Sequence, residues 1–147
     1  MEKNIKLKKL KPEEVTKVID FIYKDEDLKD TFAEEKKFRP RLLYAGYVAL
    51  IQKEEKDIGF VIVVNNTKTN KNEVDIGILK EYRGKGYGKE ALRILKDIII
   101  LNNIEVEIQT KQKNIAAINS ITKNGFILVR EDKEHYYYSI PKEEYKK

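Results

Sequence analysis

The hydrophobic pattern of this chain changes period at one place, and that place limits the folds open to it. "EVDIGIL", residues 73–79, alternates apolar and polar side chains as a half-buried strand does. From Gly86 onward the spacing becomes helical, with Tyr87, Ala91, Leu92, Leu95, Ile98 and Ile99 on one wide face that runs out at Asn102 and Asn103. Between the two lies "KEYRGKGYG", in which Gly84, Gly86 and Gly88 permit positive φ and close approach of the backbone. A strand that passes through such a turn into a long helix and then into another strand, "IEVEIQT", predicts a strand–helix–strand crossover over Glu73–Thr110.

The flanking segments complete a mixed sheet. "IKLKKL" alternates as a first strand, and "KPEEVTKVIDFIYK" has Pro12 near its start and Val15, Val18, Ile19 and Ile22 at helical spacing. Asp25–Pro40 is charged and mixed, and reads as a second helix followed by a loop, a segment of the kind that houses substrate specificity. "YAGYVALIQ", "IGFVIVV" and "EVDIGIL", joined by polar turns, predict an antiparallel meander. "NIAAINSITKNGF" predicts a helix capped by Asn114 and stopped by Gly125, and "FILVR" with "HYYYSI" predicts a closing hairpin. The expected fold class is α/β with a mixed, α+β-like sheet: antiparallel meander, strand–helix–strand crossover, C-terminal hairpin. No repeat, low-complexity tract or linker divides residues 1–147, so a single domain is expected.

Composition removes several chemistries. There is no cysteine, which excludes zinc–thiolate, iron–sulfur and cysteine-nucleophile sites, and the single histidine, His135, argues against a His-based metal site. The longest apolar run, Leu42–Ile51, is too short to span a bilayer, and "MEKNIKLKKL" lacks the apolar core of a secretory signal. A cytoplasmic protein with no membrane partner is expected. The net charge of +5 comes from lysines interleaved with acids, a solvated surface. Nucleic acid is an unfavoured partner, because the aromatic residues gather in the C-terminal hairpin rather than among the lysines.

Three phosphate-binding patterns compete for the glycine-rich turn. Backbone N–H groups at a helix start lack intrahelical partners and carry the positive end of the dipole, so a strand–glycine turn–helix unit suits an anion, and Arg83, Lys85 and Lys89 add charge. A P-loop fails, since no Gly-Lys pair is followed by Ser or Thr. The dinucleotide fingerprint is met in letter by Gly86, Gly88 and Ala91, with Glu105 downstream. Against it, Lys80–Arg83 intervene between strand and turn, and too little chain follows for further parallel strands. The third pattern, R/Q-x-x-G-x-G/A, is fitted by Arg83, Gly86 and Gly88.

With that motif the chain resembles the GCN5-related N-acetyltransferases. "IGILKEYRGKGYGKEAL" is similar to their pyrophosphate-binding strand–loop–helix, and "NIAAINSITKNGF" to their later helix, which opens with Asn and ends in Lys-x-Gly-Phe. The resemblance implies acetyl-CoA as donor, an amine as acceptor and no metal. It implies that the backbone of Ile76, Gly77 and Ile78 pairs with pantetheine and polarises the acetyl carbonyl. The N–H groups of Arg83, Gly84, Lys85, Gly86, Tyr87, Gly88 and Lys89 would hold the pyrophosphate, and Asn114 is a further candidate contact. The implied acceptor is a small amine, a polyamine or a protein; a homodimer is compatible with the sequence.

Acyl transfer to an amine also calls for a base, because an alkylamine with a pKa near about 10.4 is almost fully protonated at neutral pH. Period two puts Glu73 and Asp75 on one face of their strand beside Gly77, whose missing side chain leaves space for an amine, so both are candidate catalytic residues; Asp75 is preferred because its D-I-G-I context resembles the E-I-G of related enzymes. The tyrosine that many members carry four residues before the glycine of Lys-x-Gly-Phe is Ile121 here. Ser120 or a tyrosine of "HYYYSI" is the candidate substitute acid, with Tyr138 put forward among Tyr136, Tyr137 and Tyr138. Loss of that tyrosine also keeps open an alternative, a catalytically silent acyl-CoA-binding sensor or scaffold.

Overall fold

The computed structural model describes residues 4–29, 45–66 and 70–145. The elements are β1 (Ile5–Lys9), α1 (Lys17–Ile22), α2 (Glu26–Leu28), β2 (Tyr47–Lys53), β3 (Lys56–Asn66), β4 (Lys71–Ile78), α3 (Tyr87–Leu101), β5 (Val106–Lys111), α4 (Ile115–Lys123), β6 (Ile127–Glu131) and β7 (His135–Ser139). Short 3-10 turns precede α1, link β4 to the glycine-rich loop and follow β7. This is the mixed α/β order read from the sequence. Residues 30–40 of the anticipated second helix and loop lie outside the described residues, and within that segment only the single turn of α2 is seen.

One sequence expectation divides in two. The helix read across Lys11–Lys24 consists of a 3-10 turn at Pro12–Glu14 and then the six-residue α1. Val15, Thr16, Val18, Ile19 and Ile22 are β-branched and lose rotamer freedom in a helix, so packing of Val18, Ile19, Phe21 and Ile22 against the sheet, rather than propensity, sustains the segment.

The strands form one seven-stranded sheet in the order β1-β2-β3-β4-β5-β7-β6. β1–β4 are antiparallel neighbours, β4 and β5 are parallel, and β5–β7–β6 are again antiparallel. Alternation gives the sheet two buried faces. On one, Val18, Phe21 and Ile22 of α1 and Leu28 of α2 pack on Val48, Leu50, Phe60, Ile62 and Val64. On the other, Ala91, Leu92, Leu95 and Ile99 of α3 and Ile121 of α4 pack on Ile51, Val61, Val63, Val74, Val106 and Ile108. β4 therefore lies between two helical layers and leads into the glycine-rich loop.

Candidate active site

The loop takes the shape its glycines allow. Gly84 and Gly86 have φ of 75° and 86°, in the left-handed region where a side chain would be strained, and Gly86 is the N-cap of α3. Gly88 has another explanation. It is the second residue of α3, and among the described residues a Cβ there would meet Ile78 Cγ1, at 3.7 Å, an ordinary contact. Glycine costs a helix about 1 kcal/mol relative to alanine, and nothing among the described residues requires it at Gly88. A ligand lying against the helix start would. The first α3 bond runs from Glu90 N–H to the Gly86 carbonyl, so the N–H groups of Tyr87, Gly88 and Lys89 point outward without helical partners. With the dipole and with exposed Lys85 and Lys89 nearby, this is a cradle for an anion. The residues present thus fit the pyrophosphate of a coenzyme A.

The strand leading to the cradle has one closed edge and one open edge. Toward β3, β4 is paired along its whole length, from Asn66↔Lys71 to Gly59↔Ile78. Toward β5 the pairing comprises Asn72↔Val106 and Glu73↔Glu107, and no further ladder pair joins these strands among the described residues. Leu79 N–H donates to the Ile58 carbonyl at 2.9 Å, which fixes the alternation. Asp75 and Gly77 direct their backbone groups at β3, whereas Ile76 and Ile78 direct theirs into the gap facing β5. Below the gap, buried Glu107 accepts from Lys71 Nζ at 3.0 Å and Arg130 Nη2 at 2.6 Å, which compensates its charge.

Arg83 serves the loop differently from Lys85 and Lys89. Its N–H closes the 3-10 turn on the Lys80 carbonyl. Its guanidinium donates through Nε to the Ile78 carbonyl (2.8 Å), through Nη1 to Asp27 Oδ2 (2.8 Å) and through Nη2 to Asp25 Oδ1 (2.9 Å). Its backbone N–H and three guanidinium N–H groups are engaged inside the protein, which makes Arg83 a brace between loop and α2. Lys85 Nζ donates to the Glu81 carbonyl at 3.0 Å, and the Tyr87 ring lies 6.2 Å from that of Tyr82.

The three candidate catalytic residues do not converge. Glu73 and Asp75 are half-buried and lie on the α1 side of the sheet, where Glu73 Oε2 accepts from Asn66 Nδ2 at 3.1 Å. Tyr138 pairs with Ile108, on the α3 side, and is buried at 4% exposure beside Tyr136, their rings edge to face at 6.3 Å. Burial, followed by the neighbouring Tyr136, pushes the Tyr138 hydroxyl above its usual pKa. Its period-two facing was legible, but which face met α3 was not. The space anticipated beside Gly77 is likewise filled: a Cβ there would lie 2.5 Å from Phe60 Cε1 and 3.0 Å from Leu28 Cδ2, so Gly77 serves packing. Ile121 is a core residue at 5% exposure. Asn114 caps α4 by accepting from Ala117 N–H at 3.1 Å.

Sequence reasoning missed two organising residues. One is Asp25, the N-cap of α2. Asn124 donates through Nδ2 to the carbonyls of Lys89 (3.1 Å) and Ser120 (2.8 Å), tying the end of α4 to the first turn of α3. Its place before Gly125 marked a helix stop, and nothing in the sequence marked the reach across helices. A further cavity of about 740 Å³ along the second half of α3, lined by Lys96, Ile100, Asn124, Glu144 and Tyr145, includes the Lys96–Glu144 ion pair.

An anion cradle at a helix start, fed by a strand parted from its parallel neighbour, is the arrangement of an acyl-CoA-dependent acetyltransferase, and residues 6–127 match the acetyltransferase (GNAT) domain family. The chain belongs to that family, whose members use acetyl-CoA. Comparison with curated protein sequences gives no match. Among solved structures, the chain is similar to a ribosomal-protein-S5-alanine acetyltransferase from Vibrio fischeri (TM-score 0.77, 16% identity, covering 100% of this chain and 98% of that one). It is also similar to a chimera of the Vibrio cholerae spermidine N-acetyltransferase (0.70, 17%, 97% and 98%). A third similar structure is a ribosomal L7/L12 α-N-protein acetyltransferase in complex with coenzyme A (0.69, 14%, 94% and 94%). At these identities the likeness is one of fold.

Proposed function

We propose that the chain, acting as a single domain, is an acetyl-CoA-dependent N-acetyltransferase whose acceptor is a primary amine of a small molecule, a polyamine or a protein. The reading rests above all on the open edge of β4, which runs directly into outward-pointing amides that no helical partner uses among the described residues. In this reading the N–H groups of Tyr87, Gly88 and Lys89 hold the pyrophosphate, and the backbone of Ile76 pairs with pantetheine. When bound, the thioester supplies the acetyl group. Asp75, assisted by Glu73, takes the proton that the acceptor ammonium must lose before its lone pair can attack. Tyr138 would have to act from the opposite face of the sheet, which makes it the weakest of the three assignments. A coenzyme A thiolate leaves readily enough to dispense with an acid at Ile121. The apolar Ile121 also favours one second reading, an acyl-CoA sensor that binds without turnover.

Saturating coenzyme A tests the shared step. At a hundredfold its dissociation constant a ligand stabilises the native state by about 2.7 kcal/mol, so the melting temperature should rise by several degrees. Gly88→Val should fold, since its position admits a Cβ, and should lose that rise. No shift in the wild type contradicts both readings, and a retained shift in Gly88→Val removes the loop from the site. Thiol release from acetyl-CoA across a panel of amines then separates enzyme from sensor.

A further inference from the structure

Asp25 is buried at 7% exposure and holds more partners than a helix cap requires. Its Oδ1 accepts from the N–H groups of Asp27 (3.0 Å) and Leu28 (3.2 Å), which is the ordinary capping of α2, and also from Arg83 Nη2. Its Oδ2 accepts from Lys80 N–H at 2.6 Å, at the first residue of the 3-10 turn between β4 and the loop. Arg83, three residues later, is held at the same time by Asp25, Asp27 and the Ile78 carbonyl. Leu28 packs beside Gly77 and Phe60. The turn between β4 and the first glycine of the loop is thereby fixed at Lys80 and at Arg83 to the start of α2. Burial alone would raise the Asp25 pKa, but the hydrogen bonds from Lys80, Arg83 and Leu28 outweigh it and hold the carboxyl below its ordinary value, so the group is charged at neutral pH.

We propose that Asp25 is a positioning residue for acetyl-CoA: acting through Lys80 and Arg83, it sets where the Gly84–Lys89 cradle stands relative to the open edge of β4. It touches neither donor nor acceptor. Its effect is to keep the cradle preorganised, so that binding need not first order the loop. It also keeps the Arg83 charge paired within the protein rather than aimed at phosphate. This deepens the N-acetyltransferase reading and rests on it.

Asp25→Asn is the informative variant. It keeps one oxygen for the α2 cap and faces either Lys80 N–H or the cap with an amide that cannot accept, whereas Asp25→Ala removes everything and risks unfolding. Loss of one hydrogen bond to a charged group, with the loop released, should raise the Kd for coenzyme A about tenfold by titration calorimetry below the unfolding transition. KM for acetyl-CoA should rise in parallel while kcat at saturation stays near wild type, the signature of lost uniform binding. In ligand-free protein the Lys80 amide should exchange hydrogen faster. A residue that only stabilised the fold would lower the melting temperature and leave Kd and KM unchanged, and that result, or tighter binding, overturns the proposal. Failure of the wild type to bind coenzyme A would overturn the parent reading with it.

Discussion

The two edges of β4 share one sequence and behave oppositely. Toward β3 the strand is zipped through eight register pairs; toward β5 it is paired through two and then parts. The closed edge is supported by packing on both sides of the sheet: Phe60, fully buried, sits opposite Gly77, and Val61 and Val63 line the α3 face. The open edge is sustained otherwise. β5 satisfies its far edge with β7, the Lys71–Glu107–Arg130 bridge anchors the base of the gap, and the Asp25–Arg83 brace fixes its upper end. Backbone polar groups that a sheet would normally pair are thus held ready for another partner.

A pair of proline substitutions tests that difference most strongly. At Asp75 proline removes an N–H directed at Ile62 and leaves a buried carbonyl unpaired, whereas at Ile76 it removes an N–H that no strand uses among the described residues. Asp75→Pro should therefore lose about 1–3 kcal/mol more stability than Ile76→Pro in urea titration. Ile76→Pro should instead weaken coenzyme A binding. Equal destabilisation would show that the open edge is paired after all.

A smaller effect concerns the brace. Because the Asp25 pKa is lowered by folding, its contribution to stability is present above the ordinary carboxylate value of about 3.9 and is lost as pH falls through the lower folded value. The difference in melting temperature between wild type and Asp25→Asn should be steady near neutrality and shrink below about pH 4. A difference that persists unchanged in acid would assign the effect to shape rather than to charge.

Much of this was legible in the sequence because it is written locally. The switch of period at Gly84–Gly88 marked β4 and α3, left-handed Gly86 and Gly125 fell where helix boundaries were expected, and Asn114 caps the helix it was assigned to. The site was less legible because its organisation depends on distant residues. Asp25 reads only as the start of a charged helix-and-loop segment, and its second oxygen meets a residue 55 positions away. Gly77 reads as room for a substrate, and the room belongs to Phe60. Tyr138 alternates as expected, yet only the register with Ile108 decides that it faces α3 rather than the Glu73–Asp75 side. Parting of β4 from β5 has no signature in either strand, since each alternates regularly.

Amide hydrogen exchange along β4, with and without coenzyme A, tests the central claim most directly. In the ligand-free protein Asp75 and Gly77 should be protected by β3, and Ile76 should exchange rapidly. Coenzyme A should slow exchange at Ile76 and at Tyr87–Lys89 while leaving Asp75 and Gly77 as they were. An Ile76 amide already protected without ligand, or unchanged protection at both Ile76 and Tyr87–Lys89 when coenzyme A is saturating, would contradict the account.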